Sequence, residues 1–378
     1  MNNHWTRRQF LHVSGSAVLA GLAPSIPAHA VASSELAEMR GATLYRKAFV
    51  LDANTLASIG SLCCDKDSAA QLKAVRESGI SAVKSTLGNA NGTFEEAVAD
   101  IAAAVNLVER YPHVFIKVVS HDDFERAQRE RKIAVIFSFE AASMLEDKID
   151  RIELFRQLDV RVMQLSYNRK SPFGCGCLDG EVDGVTPLGR QAIEKMNALG
   201  VALDLSHANT RTTADGIALS SKPALITHAG CRSVFNHPRN KEDREMKALA
   251  DKGGVMGIYM LPFLTVDTRQ PMLEDYMQHV VHALRVCGED HVGIGTDSAF
   301  FEVGADDLKA MAAQEAQRKQ AGVGAPGENR PPYIPDINSP RKLERVADAI
   351  LKYGYSERVA DKVLGLNFSR ALKEIWMV

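Results

Sequence analysis

The stretch VALDLSH, residues 201–207, shows the pattern that decides the fold, a short apolar run that ends in polar residues. Eight further runs of this kind, rich in β-branched residues, alternate along the chain with longer segments of helical periodicity. Such runs are typical of parallel strands buried on both faces, and helix-length segments between them indicate βαβ units. The eight runs are residues 48–53, 80–86, 114–119, 133–139, 160–166, 224–227, 255–259 and 292–295.

Eight or nine such units over about 250 residues predict an α/β protein with a (β/α)8 TIM barrel rather than an open sheet. The first run is not followed by a G-x-G-x-x-G motif, which disfavours a dinucleotide-binding fold. Helical periodicity is clear over residues 94–109, 187–199, 243–250 and 276–286.

An inserted segment follows the last predicted strand. Residues 305–319 have helical periodicity, and residues 322–340 are rich in Gly and Pro and predict a long loop. Since the segment leaves the carboxyl end of a strand, we expect it at the mouth of the barrel, where substrate loops lie. The alternative is a plain surface loop.

The composition excludes several classes of protein. Hydrophobic residues make up 46% of the 378 residues, and 6 Cys are too few for a disulfide-based scaffold, so the chain is neither disordered nor disulfide-dependent. The 45 basic and 47 acidic side chains give a net charge of −2, which disfavours a nucleic-acid partner.

The first thirty residues predict a twin-arginine signal peptide. Arg7 and Arg8 precede Phe10 and Leu11, an apolar stretch covers residues 13–22, and AHA at 28–30 resembles a cleavage site. The apolar stretch is too short to span a bilayer. We therefore expect export by the twin-arginine machinery and a periplasmic or otherwise exported single domain, residues 31–378, without a transmembrane segment. Whether it is a monomer or a homodimer is left open.

Several predicted strands end in residues that bind metals or transfer protons. Glu140, His207 and His228 each follow such a run, and Asp297 follows the last one. The carboxyl ends of barrel strands share one face, so we expect these side chains to meet. Two imidazoles and one carboxylate are a ligand set for catalytic zinc with an open position for water. Such a water, acidified by the metal, would be the nucleophile.

Two charged residues complete the candidate pocket. Asp297 would act as general base or hold a substrate ammonium. Arg239, in the stretch NHPRN at 236–240, would hold a substrate carboxylate through its planar guanidinium. The alternative for Arg239 is a salt bridge within its own loop.

These motifs together resemble the membrane (renal-type) dipeptidase family of zinc peptidases, over about residues 45–375. The resemblance implies a (β/α)8 barrel of the metal-dependent hydrolase type that cleaves dipeptides. It further implies that Glu140 bridges two zinc ions, that His207 and His228 complete the second site, that Arg239 binds the substrate carboxylate and that Asp297 binds its amino end. The motifs are DLSH at 204–207, TH at 227–228, HPRN at 237–240 and GIGTD at 293–297, with GVTPLGR at 184–190 and LGLNFSR at 364–370.

The chain departs from the family pattern at two places. Asn54 and Leu56 stand where the family has the His-x-Asp pair that holds the first zinc. Leu cannot bind a metal and neutral Asn is a poor substitute for imidazole, so we expect one zinc, held by Glu140, His207 and His228.

The second departure is Tyr167, which replaces a substrate-binding His. Tyr can donate a hydrogen bond to a developing oxyanion but cannot become cationic near pH 7. Tyr167 and its neighbour Asn168 are therefore predicted to contact the substrate.

The sequence thus predicts an exported zinc-dependent dipeptidase that hydrolyses dipeptides or related small amides through a metal-activated water. Two alternatives stay open: an altered reaction on a peptide-derived metabolite, and a non-catalytic small-molecule binding protein on the same fold.

The cysteines give a further expectation. A disulfide between the pair Cys63 and Cys64 and the pair Cys175 and Cys177 is an open alternative in an exported protein. Cys231 and Cys287 adjoin predicted elements and are expected to be buried.

Overall fold

The structure is a computed structural model that describes residues 40–55 and 68–377. The predicted signal peptide, Leu56, Cys63 and Cys64 lie outside the described residues.

Each of the nine predicted runs overlaps a strand, and every strand pair in the described residues is parallel. Eight strands close into a ring in the order β1-β2-β4-β5-β6-β7-β8-β9, because β1 pairs with both β2 and β9 and β2 pairs with β4. The prediction of a (β/α)8 barrel is confirmed. The strands are β1 (Leu51–Thr55), β2 (Ala82–Thr86), β3 (Phe115–Lys117), β4 (Ile133–Phe139), β5 (Val160–Gln164), β6 (Ala202–Asp204), β7 (Leu225–Ala229), β8 (Val255–Ile258) and β9 (Val292–Ile294).

The remaining strand, β3, lies outside the ring. It pairs with residues 133–135 of β4, whereas β5 pairs with residues 137–139 of the same strand. Because β2 takes the other side of β4 over residues 134–138, β3 and β5 share one side, one beyond the other along β4. This explains why the sequence shows nine strand runs for an eight-stranded barrel.

Helices follow the strands and begin at residues typical of helix starts. The Thr93 side chain accepts a hydrogen bond from the Glu96 amide, and Thr186 does the same for Gly189 with Pro187 at the first helical position. The helices are α1 (Ser68–Glu77), α2 (Phe94–Arg110), α3 (Asp122–Glu130), α4 (Asp150–Gln157), α5 (Pro187–Leu199), α6 (Thr210–Leu219), α7 (Asp243–Asp251), α8 (Leu273–Cys287), α9 (Ala305–Gln320), α10 (Lys342–Lys352), α11 (Glu357–Asp361) and α12 (Asn367–Trp376). In the described residues, no helix is both long and apolar enough to cross a membrane.

The interior of the barrel is apolar at one end and polar at the other. Side chains at the amino ends of the strands, such as Ala82, Ala202 and Val255, form one buried cluster with Phe368 and Leu372 of α12. This helix therefore covers the amino-terminal end of the barrel. The carboxyl ends are left for polar side chains, as in barrels with an active site.

The buried positions of Cys231 and Cys287 are confirmed. Cys175 and Cys177 are also buried and are free thiols. Their partners in the disulfide that the sequence left open, Cys63 and Cys64, lie outside the described residues.

Candidate metal centre and active site

The three predicted metal ligands meet at the carboxyl end of the barrel. Glu140 directly follows β4, His207 follows β6, and His228 lies within β7. The Nε2 atoms of the two imidazoles are 3.0 Å apart, and Glu140 Oε2 lies 3.6 Å from His207 Nε2. All three ligand atoms lie within 4.8 Å of one another. A tetrahedral zinc holds two nitrogens about 3.3 Å apart, so the spacing fits such an ion.

The hydrogen bonds behind the imidazoles leave both Nε2 atoms without a proton. His207 Nδ1 donates to Asn168 Oδ1 at 2.7 Å. The Thr227 hydroxyl donates to Asp204 Oδ2 at 2.6 Å and is therefore free to accept from His228 Nδ1 at 2.9 Å. Two Nε2 lone pairs thus face each other beside a carboxylate. A cation between them is the group that satisfies all three, so the residues fit a metal ion.

The protonation states agree with ligand roles. Burial, together with the nearby Arg239 charge, lowers the pKa of His207 to about 3, and burial lowers the pKa of His228 well below its usual value. Both imidazoles are therefore neutral at pH 7. Burial alone would raise the pKa of Glu140, but the Lys84 charge acts against burial and the pKa lies well below its usual value, so Glu140 is ionised. With neutral imidazoles, the cation that stabilises this carboxylate is Lys84.

The second oxygen of Glu140 faces β1 and β2 rather than the imidazoles. The Thr86 hydroxyl donates to Glu140 Oε1 at 2.6 Å, and Lys84 Nζ lies 3.8 Å from the same oxygen. Thr86 Oγ1 also lies 3.4 Å from Asn54 Oδ1. Each oxygen of the carboxylate therefore has its own set of neighbours.

Asn54, at a position where the resemblance predicts a metal ligand, is hydrogen-bonded to Asp297. Its Nδ2 donates to Asp297 Oδ1 at 3.0 Å, and the Asp297 amide donates to the Asn54 carbonyl at 2.8 Å. The backbone of Asp297 has a φ of 49°, an uncommon value for a residue other than Gly. Burial and the Glu140 charge raise the pKa of Asp297 to about 7. A carboxyl group with such a pKa can exchange a proton near neutral pH.

Arg239 lines the same cavity and touches His207. Its Nη1 donates to the Ser206 carbonyl, and its Nη2 donates to His207 Nε2 at 3.2 Å. The alternative of a salt bridge within its loop finds no support, because both donors reach outside that loop.

The two residues after β5 differ in position. The Tyr167 ring stacks on His207 with centroids 4.0 Å apart and lines the cavity. Asn168 lies behind His207, where its side chain accepts from Nδ1 and donates to the Val323 carbonyl at 2.7 Å. The contact that the structure shows for Asn168 is thus a supporting one, and its substrate contact stays a prediction.

The inserted segment forms the outer wall of a cavity of about 440 Å³ above the centre. Arg318 of α9 donates to the Tyr167 hydroxyl at 2.7 Å and forms an ion pair with Glu328 at 2.7 Å. This arrangement agrees with the expectation of a mouth segment. The lining residues from the segment include Met311, Gln314, Glu315, Gln317, Arg318, Glu328, Arg330 and Pro332.

Reasoning from the sequence missed Lys84, Thr86 and Arg318. A lone Lys within an otherwise apolar and small-residue run, residues 80–86, is a signal that could have pointed to Lys84. Arg318 carried no such signal, because charged residues are ordinary on an exposed helix.

Comparison with known proteins agrees with the family resemblance of the sequence. The model of the membrane dipeptidase family, peptidase family M19, matches residues 66–313. The uncharacterized protein in the pqqA 5′ region of Klebsiella pneumoniae is 27% identical over 68% of this chain and 88% of its own length. Dipeptidase tcpJ of Claviceps purpurea is 24% identical over 67% of this chain, which spans only 54% of that relative.

Solved structures share the fold over most of the chain. An amidohydrolase from Pseudomonas aeruginosa has a TM-score of 0.79 and 28% identity, covering 89% of this chain and 99% of its own. A metallo peptidase from Rhodobacter sphaeroides, liganded with a phosphinate mimic of the dipeptide L-Ala-D-Ala, has a TM-score of 0.71 and 20% identity, covering 87% and 99%. At that identity the second likeness bears on the fold alone.

Proposed function

Since the chain belongs to the membrane dipeptidase family, a family of metal-dependent peptidases, we propose that it hydrolyses dipeptides or related small amides with one zinc ion held by Glu140, His207 and His228. The observation that carries the proposal is the pair of unprotonated Nε2 atoms, 3.0 Å apart, beside an ionised carboxylate. When bound, such an ion polarises the scissile carbonyl and lowers the pKa of water.

Arg239 and Asp297 supply the charges that a free dipeptide requires. In the structure Arg239 Nη2 donates to His207 Nε2. That lone pair is no longer available when His207 binds a metal, so the guanidinium proton becomes free to bind the substrate carboxylate. Asp297 binds the substrate ammonium or accepts a proton during hydrolysis, as its pKa of about 7 allows.

Tyr167 limits the other side of the pocket. Its hydroxyl accepts a hydrogen bond from Arg318, so its own proton is free to be donated to an oxyanion. The Arg318 charge beside the same hydroxyl stabilises the negative charge of an oxyanion there. A neutral Tyr alone supplies no such positive charge.

The proposal includes export. It rests on the twin-arginine pattern at residues 1–30, which predicts a periplasmic or otherwise exported enzyme. Cell fractionation of the native protein tests it.

Metal analysis and activity assays on one preparation test the proposed function. The natively exported chain is analysed for metal and then assayed on dipeptides and on the same dipeptides with an amidated carboxyl end. We expect about one zinc per chain, hydrolysis of the free dipeptides, and turnover of the amides at least tenfold lower. Arg239→Met should raise KM for free dipeptides and abolish this difference, because the discriminating charge is gone.

Two results would contradict the proposal. Two tightly bound zinc ions per chain would overturn the single-metal site. A zinc-loaded chain inactive on the whole panel would favour the second candidate, an altered reaction on a peptide-derived metabolite, which the replacements at Tyr167 and Asn54 favour. Ligand binding without any turnover would instead indicate a binding protein on this fold.

A further inference from the structure

Lys84 is a buried cation in the wall of the barrel. Its side chain is 2% exposed. Lys84 shares with Ala82 and Thr86 the face of β2 that points into the barrel. An ammonium in such a place is costly unless a carboxylate and hydrogen-bond acceptors surround it. The residue therefore has a specific partner.

That partner is Glu140. Lys84 Nζ lies 3.8 Å from Glu140 Oε1 and donates to the hydroxyls of Ser138 at 3.2 Å and Thr86 at 3.4 Å. Thr86 in turn donates to Glu140 Oε1. The Lys84 charge thus acts on this one oxygen directly and through Thr86, whereas the Oε2 atom faces His207.

The positions around Oε1 are those where the family resemblance expects a first metal ion. Asn54 stands at one of the missing ligand positions, and its Nδ2 already donates to Asp297. We propose that the Lys84 ammonium takes the place of the first of the two metal ions at Glu140, so that the centre works with the single divalent ion at the imidazoles. This inference rests on the proposed function.

The Lys84 ammonium would repel a metal ion bound at Glu140 Oε1. An ion bound to Oε1 at about 2.1 Å would lie within about 6 Å of the ammonium. In a buried site two cations at that distance repel strongly, because little solvent screens them. Lys84 therefore disfavours a metal on the β1–β2 side, where Asn54 stands in place of an imidazole that could offset the repulsion, and leaves Oε2 for the ion at the imidazoles. It is a positioning residue that acts through Glu140.

The test compares Lys84→Met, which keeps the length of the side chain but not its charge, with wild type. Zinc affinity is measured by chelator competition, zinc content by elemental analysis, folding by thermal unfolding, and turnover on the dipeptide panel. We expect Lys84→Met to bind zinc at least threefold more tightly, because a repelling charge is gone, while kcat falls at least tenfold. Ethylammonium should partly restore kcat in Lys84→Ala, and ethanol should not.

Lys241→Met is the matched control. Lys241 is also buried, but its Nζ donates to the Ala208 carbonyl and the Thr213 hydroxyl rather than to Glu140. We expect this variant to lose thermal stability without a gain in zinc affinity.

Weaker zinc binding in folded Lys84→Met would overturn the inference, because Lys84 would then be a support of the metal site. Unchanged zinc affinity and unchanged kcat would overturn it as well. If Lys84→Met does not fold, Lys84→Arg carries the test: it keeps the charge, so a second bound zinc would contradict the proposal and one zinc would support it. Chelator competition needs no turnover, so a failure of the dipeptidase proposal is distinguished from a failure of this one.

Discussion

The two halves of the barrel mouth use the same carboxylate in opposite ways. On the β6–β7 side, Glu140 Oε2 faces His207 and His228, whose Nε2 lone pairs converge without a proton between them. On the β1–β2 side, Glu140 Oε1 is occupied by the Thr86 hydroxyl and the Lys84 charge. The first side needs a cation from outside, and the second already has one of its own.

Both halves rest on similar foundations. Asp204 accepts hydrogen bonds from the amide and the hydroxyl of Thr227 on the next strand, at 3.1 and 2.6 Å. Asp52 accepts from the amide and the hydroxyl of Thr296 in the same manner, at 2.7 and 2.6 Å. The frame is therefore alike on both sides, and the residues placed on it decide whether a side binds a metal.

The largest difference between the two sides should appear when a candidate ligand is removed from the β6–β7 side. In His207→Ala two ligands remain, so we expect zinc affinity to fall more than about 100-fold and dipeptide hydrolysis to be lost. Zinc content and turnover are measured on the same sample. His282→Ala is the control, because His282 pairs with Asp243 on the outer helices. Unchanged turnover in His207→Ala would refute the metal site.

A pH profile tests the titration of Asp297, which lies beside both halves of the mouth. Its pKa of about 7 lies above that of a free carboxyl, so the group is protonated below pH 7 and carries charge above it. We expect the carboxyl of the metal-free protein to titrate near pH 7 in NMR spectra. Zinc favours the ionised form, so we expect kcat/KM of the loaded enzyme to start falling only at a lower pH. Below that pH, kcat/KM should fall about tenfold per pH unit.

Asp297→Asn is the matching variant for this profile. It should lose most turnover and show no acid limb from this group. A limb at the same pH in Asp297→Asn would assign the titration to another residue.

The smallest expected effect comes from the β1–β2 side. Thr86→Val keeps the shape of the side chain but removes the hydroxyl that donates to Glu140 Oε1. Because Lys84 still faces the carboxylate, we expect kcat to fall only threefold to tenfold, with zinc content unchanged. Thr86→Ser should behave as wild type. A loss of zinc in Thr86→Val would show that the two sides are not separate.

The sequence predicted the fold well because its signals are local. Strand runs separated by helical segments, with starts such as Thr93 and Thr186, specify βαβ units without reference to distant residues. The place of the inserted segment is not set by a local signal. Its helix α9 has no buried residue, so its pattern could not tell a mouth segment from a surface loop.

The candidate ligands could be named from sequence for a similar reason. Glu140 and His207 follow strands and His228 is the last residue but one of β7, and in a barrel all such positions share one face. Lys84 could not be assigned in this way. It lies within a strand, and its partner Glu140 comes from β4, which adjoins β2 in the ring although β3 lies between them in the chain.

By itself, then, the sequence determined the barrel, and it named the candidate ligand residues and the position where the resemblance predicts a missing metal motif, since periodicity and residue type are properties of the chain. The tertiary structure alone decided what replaces that motif. The contact between Lys84 and Glu140 depends on the pairing of β2 with β4, in which Lys84 lies beside Ile136 and Thr86 beside Ser138. Register between strands is set by closure of the whole ring, so no local pattern could show it.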